Sequence, residues 1–139
     1  LLLVKPNQRL DIISKTISVF IREHVDSERE KIVKTLIDLG FSFKFCGTLY
    51  ILDSILYIRT HKGAFSFEKI EEDVYSHVAK INNTTNKRVK WSVARSINTM
   101  YGNHTRKSYE AVEKYFNIAF PTRPTPKLVI SLIANNLDL

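Results

Sequence analysis

A run of polar and basic residues between Thr84 and Asn98 has the residue types that contact nucleic acid. On a helix at about 100° per residue, one face collects Thr84, Lys87, Trp91, Arg95 and Asn98. Lysine and arginine contact phosphates or guanine edges, asparagine pairs with base edges, and an indole can lie on a sugar or a thymine methyl. This face therefore predicts a DNA-binding surface.

The first turn of the same helix extends this surface. Its hydroxyls and free backbone N–H groups can bind a phosphate, its asparagine can pair with a base edge, and two further basic residues flank the outer face. The predicted DNA-binding residues are Thr84, Thr85, Asn86, Lys87, Arg88, Lys90, Trp91, Arg95 and Asn98.

Trp91 lies among lysines, arginines and serines, and its position allows two interpretations. The apolar residues Val89, Val93, Ile97 and Met100 fall on the opposite side of the helix, where a core tryptophan would also point. Either Trp91 belongs to the binding surface, or it packs on a neighbouring element that the helical wheel does not include.

Other reactive residue types do not form a catalytic pattern. The four histidines lack metal-ligand spacing, and Cys46 lies in an apolar stretch that is typical of a buried structural thiol. Glu71, Glu72 and Asp73 are adjacent, so they cannot share one helix face. We therefore expect no enzymatic activity, no cofactor and no metal.

Composition fits a small globular domain with an anionic partner. Of the 139 residues, 44% are hydrophobic and 25% charged, enough for one packed core. The net charge of +7 favours a polyanion such as nucleic acid. A single cysteine is typical of the reducing cytoplasm, and no apolar run reaches the length of a membrane span. We expect a cytoplasmic protein that does not bind membranes.

Two consecutive helices carry the basic face. Ile70, Val74 and Val78 recur at helical spacing, "NNTT" forms a short polar corner, and a second helix begins near Thr85. Ala79 is small where the two helices must approach closely. This arrangement predicts a helix-turn-helix.

Helices are also predicted on both sides of this pair. Ile32, Leu36 and Leu39 form one inner face, and Gly40 is a C-terminal stop. The apolar segment 47–63 suits a strand or a helix by propensity, but its length and spacing favour a buried helix.

The last predicted helix begins at Thr125, an N-cap followed by Pro126 at the first helical position. Its predicted apolar face is Leu128, Leu132, Ile133 and Leu137. With a short strand over residues 1–4 and an amphipathic helix after it, the expected fold class is all-α: about six helices containing a helix-turn-helix, preceded by that strand and helix.

The segment "VYSHVAKINNTTNKRVKWSVARSINTMY" resembles the helix-turn-helix of the stage-zero sporulation protein A family of response regulators. "KFCGTLYILDSILYI" resembles that family's Gly-x-Leu-Tyr helix, and "RPTPKLVISLIANNLDL" its closing helix. The resemblance covers residues 28–139. The opening "LLLVKPNQRLDIISKTISVFI" is similar to the end of a receiver domain, which implies a receiver remnant over residues 1–25 and a DNA-binding effector domain over residues 26–139.

This resemblance implies a sporulation transcription regulator of a two-component system. Its partners would be double-stranded promoter DNA, a second copy of the chain on tandem sites, and RNA polymerase, with the helix around residues 85–101 in the major groove. Thr84, Thr85 and Arg88 match the family. Where the family has glutamate, arginine and arginine, this chain has Lys90, Trp91 and Ala94. The resemblance therefore does not imply the family's base specificity.

A binding module of another kind is the alternative. The same basic, tryptophan-bearing helix could dock on an acidic protein or on RNA without DNA sequence specificity.

Overall fold

The computed structural model describes residues 27–61, 67–102, 110, 113–114 and 123–136. Helices in these ranges are α1 (27–38), α2 (Cys46–Thr60), α3 (Ile70–Ile81), α4 (Asn86–Gly102) and α5 (Pro126–Asn136), with a 3₁₀ turn at Phe67–Lys69 before α3. Residues 110, 113 and 114 are also helical. The predicted all-helical fold is thereby confirmed. The strand over residues 1–4 and the helix after it lie outside the described residues.

The apolar segment that suited either strand or helix forms α2, which packs against α3, α4 and α5. Ile51, Leu52, Ile55 and Ile58 are buried at helical spacing. Burying each of these side chains contributes about 1.5–3 kcal/mol. Because α2 buries them against three other helices, its inner face is the centre of the core. The helix ends at Thr60, while Gly63, its predicted end, lies outside the described residues.

Gly40 ends α1 as predicted, through a Schellman motif. Its φ of 101° is left-handed, and its N–H donates to the Ile37 carbonyl at 3.0 Å. The Phe41 N–H donates to the Leu36 carbonyl at 3.0 Å, and both of these side chains are buried. This pairing satisfies the last carbonyls of α1 and turns the chain toward α2.

Arg59, near the C-terminal end of α2, joins three helices. The side chain of Arg59 is only 9% exposed; it pairs with Glu28 on α1 and donates to the Ala134 carbonyl on α5 at 2.7 Å. A nearly buried guanidinium requires such partners, because an unpaired buried charge is costly. Arg59 therefore fixes α1 and α5 relative to α2.

The start of α5 is predicted correctly, and its buried face only in part, at Ile133. The Thr125 hydroxyl accepts from the Leu128 N–H at 3.2 Å, which confirms the cap. The buried residues are Val129, Ile130, Ile133 and Ala134. Leu128 is 39% exposed and Leu132 partly buried, so the face is rotated by about one residue; Leu137 lies outside the described residues. Contact with α2 therefore decides which side of α5 faces the core, and the size of the side chains does not.

Every helix in the described residues falls short of what a bilayer crossing demands in length or apolar character.

Candidate nucleic-acid interface

The turn between α3 and α4 is held by backbone and side-chain hydrogen bonds. Asn83 takes the left-handed φ of 53°, which asparagine tolerates better than most residues. Its N–H donates to the Lys80 carbonyl at 3.3 Å, and the Thr84 N–H reaches the Ala79 carbonyl at 2.9 Å. This is a second Schellman motif, and it sets the angle at which α4 leaves α3.

Asn82 ties this turn to the central helix. Its side-chain amide donates to Asp53 Oδ2 on α2 at 2.9 Å and to the Val78 carbonyl at 2.9 Å. The turn is therefore anchored on α2 as well as on α3.

Thr85 caps α4, as expected from a second helix beginning near it. Its hydroxyl accepts from the Arg88 N–H at 3.2 Å, and its carbonyl accepts from the Val89 N–H at 3.0 Å. One N–H of the first turn is thus satisfied by the cap. The other N–H groups of a helix start point outward along the axis, where an anion can bind them.

The two faces of α4 separate as predicted. Val89, Val93, Ile97 and Met100 are at most 2% exposed. Lys87, Arg88, Arg95 and Asn98 are exposed and Thr84 is partly buried. Because the apolar residues must face the core, the basic residues are presented outward.

Trp91 lies on this outward face and is 72% exposed. It therefore does not pack against a neighbouring element of the described fold, and the packing alternative is excluded there. Tryptophan is enriched at binding interfaces, and this exposed ring is available to a partner.

Asn86, Lys90 and Asn98, all predicted DNA-binding residues, have side-chain partners outside α4. Asn86 donates to Ser76 Oγ at 2.8 Å, Lys90 Nζ lies 2.9 Å from Glu71 Oε1, and Asn98 Oδ1 accepts from Arg123 at 2.6 Å. The Lys90–Glu71 pair is more than half exposed, and such pairs contribute about 0–1 kcal/mol. Lys90 can therefore release Glu71 and contact a phosphate instead.

Gly47 is the glycine of the Gly-x-Leu-Tyr motif, which marked this residue without indicating its role. A β-carbon on it would lie 1.9 Å from the Ser92 carbonyl oxygen and 2.4 Å from Ser96 Oγ. Around this crossing, the Cys46 thiol donates to Ser92 Oγ at 3.8 Å, and the hydroxyl oxygens of Thr48 and Ser96 lie 3.5 Å apart. The absence of a side chain at position 47 therefore lets α2 and α4 touch through their backbones, which fixes α4.

Cys46 is exposed, so the prediction of a buried thiol is wrong. It is the first residue of α2, and the apolar core begins one turn later.

Tyr50 extends the interface from α2 to the start of α4. Burial raises the pKa of its hydroxyl most, and the neighbouring Cys46 raises it further. A hydrogen bond with Thr84 and the charge of Arg88 act in the opposite direction. The phenol therefore lies beside two of the predicted DNA-binding residues. The Gly-x-Leu-Tyr motif marked this helix without indicating that its tyrosine faces the interface.

A groove of about 550 Å³ runs along one side of this face. It is lined by residues of α3, α4 and α5 that include Glu71, Tyr75, Lys90, Ala94, Thr125 and Lys127. Burial, and secondarily Glu71, raises the pKa of Tyr75 to about 12. Its hydroxyl therefore stays protonated at neutral pH. The mixed charges of the groove do not select one ligand.

Among the described residues, no group of three or more histidine, cysteine, aspartate or glutamate side chains could hold a metal. His61 and His77 pack on Tyr57, with ring centroids 4.3 and 4.5 Å away. Their role there is packing.

Comparison with known proteins agrees with this geometry. No curated protein sequence matches the chain. The family model described as "Sporulation initiation factor Spo0A C terminal" matches residues 32–137, well over half of the chain. The match spans the helix-turn-helix, the α2 helix with Gly47, and α5. The chain therefore belongs to the Spo0A C-terminal family, the DNA-binding effector domains of sporulation regulators.

Proposed function

We propose that this protein is a sequence-specific DNA-binding transcription regulator that inserts the helix predicted around residues 85–101, which is α4 (Asn86–Gly102), into the major groove. The observation that carries the proposal is the division of α4 into two faces. Its apolar residues are fully buried, and its opposite face presents basic side chains around a tryptophan that is 72% exposed. A helix of this kind fits the width of the major groove.

The two ends of this face have different parts in the proposed complex. At the N-terminus, Thr84, Thr85, Asn86, Lys87 and Arg88 combine hydroxyls, an amide, positive charge and outward N–H groups, which suits phosphate contacts that set the docking angle. Further along, Lys90, Trp91, Arg95 and Asn98 lie where a groove-bound helix meets base edges.

The wider context of this domain is also a proposal. We infer that residues 26–139 form the effector domain of a response regulator and that residues 1–25 belong to a preceding receiver. The support for the receiver is the Lys5–Pro6 pair at the end of an apolar run. Binding as a homodimer on tandem promoter sites, with RNA polymerase as a further partner, follows from the family's mode of action.

Titration of duplex DNA at several salt concentrations tests the proposed function. Because each phosphate contact releases counterions, log affinity should fall linearly with log salt concentration. The slope should be about −0.9 for each phosphate neutralised. Fluorescence anisotropy with mixed-sequence and AT-rich duplexes measures this slope, and a single-stranded RNA of equal length serves as the comparison. No detectable duplex binding at low salt, or tighter binding to the RNA, would favour the helical module that docks on RNA or acidic proteins.

Trp91→Arg should change sequence preference more than total affinity. The indole contacts sugars and thymine methyls, whereas arginine donates two hydrogen bonds to guanine. We expect the substituted protein to enrich guanine at one or two positions in a random duplex library, with affinity for its best site within about fivefold of the parent's. The same motif from both proteins would remove Trp91 from the specificity residues.

A further inference from the structure

The outer face of α4 is joined to the segment before α5 by one hydrogen bond. An Arg123 guanidinium nitrogen donates to Asn98 Oδ1 at 2.6 Å, across 25 residues of sequence. Pro124 is buried and Thr125 caps α5, so the backbone next to Arg123 is fixed. Both side chains are exposed and can meet a ligand together.

This hydrogen bond determines which group Asn98 presents. Arginine has donors and no acceptor, so the amide oxygen must be the atom that faces Arg123. The NH₂ group then points away from Arg123. Asn98 and Arg123 together present hydrogen-bond donors to whatever approaches.

The bases of DNA distinguish these patterns in the major groove. Adenine offers an acceptor at N7 and a donor at N6, and asparagine reads both when its oxygen and NH₂ are free. Guanine offers two acceptors, N7 and O6, which suit a pair of donors. With the Arg123 guanidinium at its oxygen, Asn98 presents its NH₂ beside further arginine donors, and this set of donors is better matched to guanine.

We propose that Arg123 is a positioning residue that makes Asn98 select guanine instead of adenine at one position of the target site. This inference rests on the proposed function, since it requires α4 in the major groove. Ala94, one turn before Asn98, lines the same small cavity as Asn98, Arg123 and Pro124. Its short side chain leaves the pair accessible to a base.

Selection from a random duplex library tests the proposal with four proteins: the parent chain, Asn98→Ala, Arg123→Ala and Arg123→Lys. The Asn98→Ala protein identifies the relevant position as the one whose base preference falls by roughly tenfold. At that position we expect guanine for the parent and for Arg123→Lys, which keeps a donor. Arg123→Ala frees the amide oxygen and should change the preferred base to adenine. A fifth protein, Arg29→Ala, removes an exposed arginine on α1 and controls for the loss of charge.

Two results would overturn the proposal while the proposed function stands. One is a parent motif with no position that depends on Asn98. The other is the same base at the Asn98-dependent position for the parent and Arg123→Ala. Failure of the proposed function is distinct from both, because the parent chain would then show no salt-dependent duplex binding and would enrich no motif. Circular dichroism of each protein confirms that its total helix content equals that of the parent.

Discussion

Replacing Gly47 with alanine is expected to lower the free energy of unfolding by about 3 kcal/mol and the melting temperature by roughly 10 °C. The added β-carbon would lie 1.9 Å from the Ser92 carbonyl oxygen and 2.4 Å from the Ser92 carbonyl carbon. These are backbone atoms of α4, so no rotamer change relieves the overlap. The helices must separate, and every buried contact along their crossing is weakened with them.

Gly102→Ala is the matched control for this substitution. Gly102 is the last residue of α4, and a β-carbon there meets nothing within 4 Å. Because alanine favours the helical conformation more than glycine does, the free energy of unfolding of the Gly102→Ala protein should stay the same or rise by up to about 1 kcal/mol. Thermal and urea denaturation of the two variants measure the difference. If Gly47→Ala melted together with Gly102→Ala, α2 would not be fixing α4 through backbone contact.

The same substitution separates two roles of the α2–α4 crossing. The folded fraction of Gly47→Ala would carry a displaced α4 while keeping every residue of the outer face. Under the proposed function, its affinity for duplex DNA should fall even where circular dichroism shows native helix content. Parental affinity in the folded fraction would mean that the crossing supports stability alone.

Local pattern was sufficient to predict the faces of α4. Val89, Val93 and Ile97 recur at helical spacing among polar residues, so just one orientation buries them, and the position of Trp91 outside follows from that orientation. On α5 the same reasoning failed, because apolar residues surround most of the helix. There the contact with α2 selected Val129 and Ile130 over Leu128, and that choice depends on tertiary structure.

Contacts between distant residues could not be predicted from one sequence. Gly47 and Ser92 are 45 positions apart, and a glycine in a helix has no pattern that announces a close crossing. The pairs Lys90–Glu71 and Asn98–Arg123 are likewise made by the fold that brings α3 and the α5 segment beside α4. Sequence thus predicted which residues face outward, while the structure adds which of them are held and in what orientation.

This distinction identifies the residues whose loss should weaken DNA binding most. Lys90 is paired with Glu71, which competes with DNA for its charge, whereas Lys87 and Arg88 are exposed at the outward start of α4. These two residues follow the Thr85 cap and lie beside the outward N–H groups of the first turn. Both should therefore contact phosphate in the proposed complex.

The double substitution Lys87→Ala, Arg88→Ala should reduce affinity for duplex DNA by about 2–4 kcal/mol, roughly 30-fold to 1,000-fold at moderate salt. The slope of log affinity against log salt should fall by about 2, since each lost phosphate contact removes close to one counterion. Its melting temperature should stay near that of the parent, because both side chains are exposed.

The control removes the same two charges elsewhere. Arg29 and Lys31 are exposed on α1, next to Glu28, which pairs with Arg59 near the C-terminal end of α2. Gly47, where α4 crosses, is 12 residues away along that helix, about 18 Å. Arg29→Ala, Lys31→Ala therefore lowers the net charge equally and should change affinity by about twofold. Equal losses in the two double variants would show that net charge alone attracts DNA and that the face of α4 is not the contact surface.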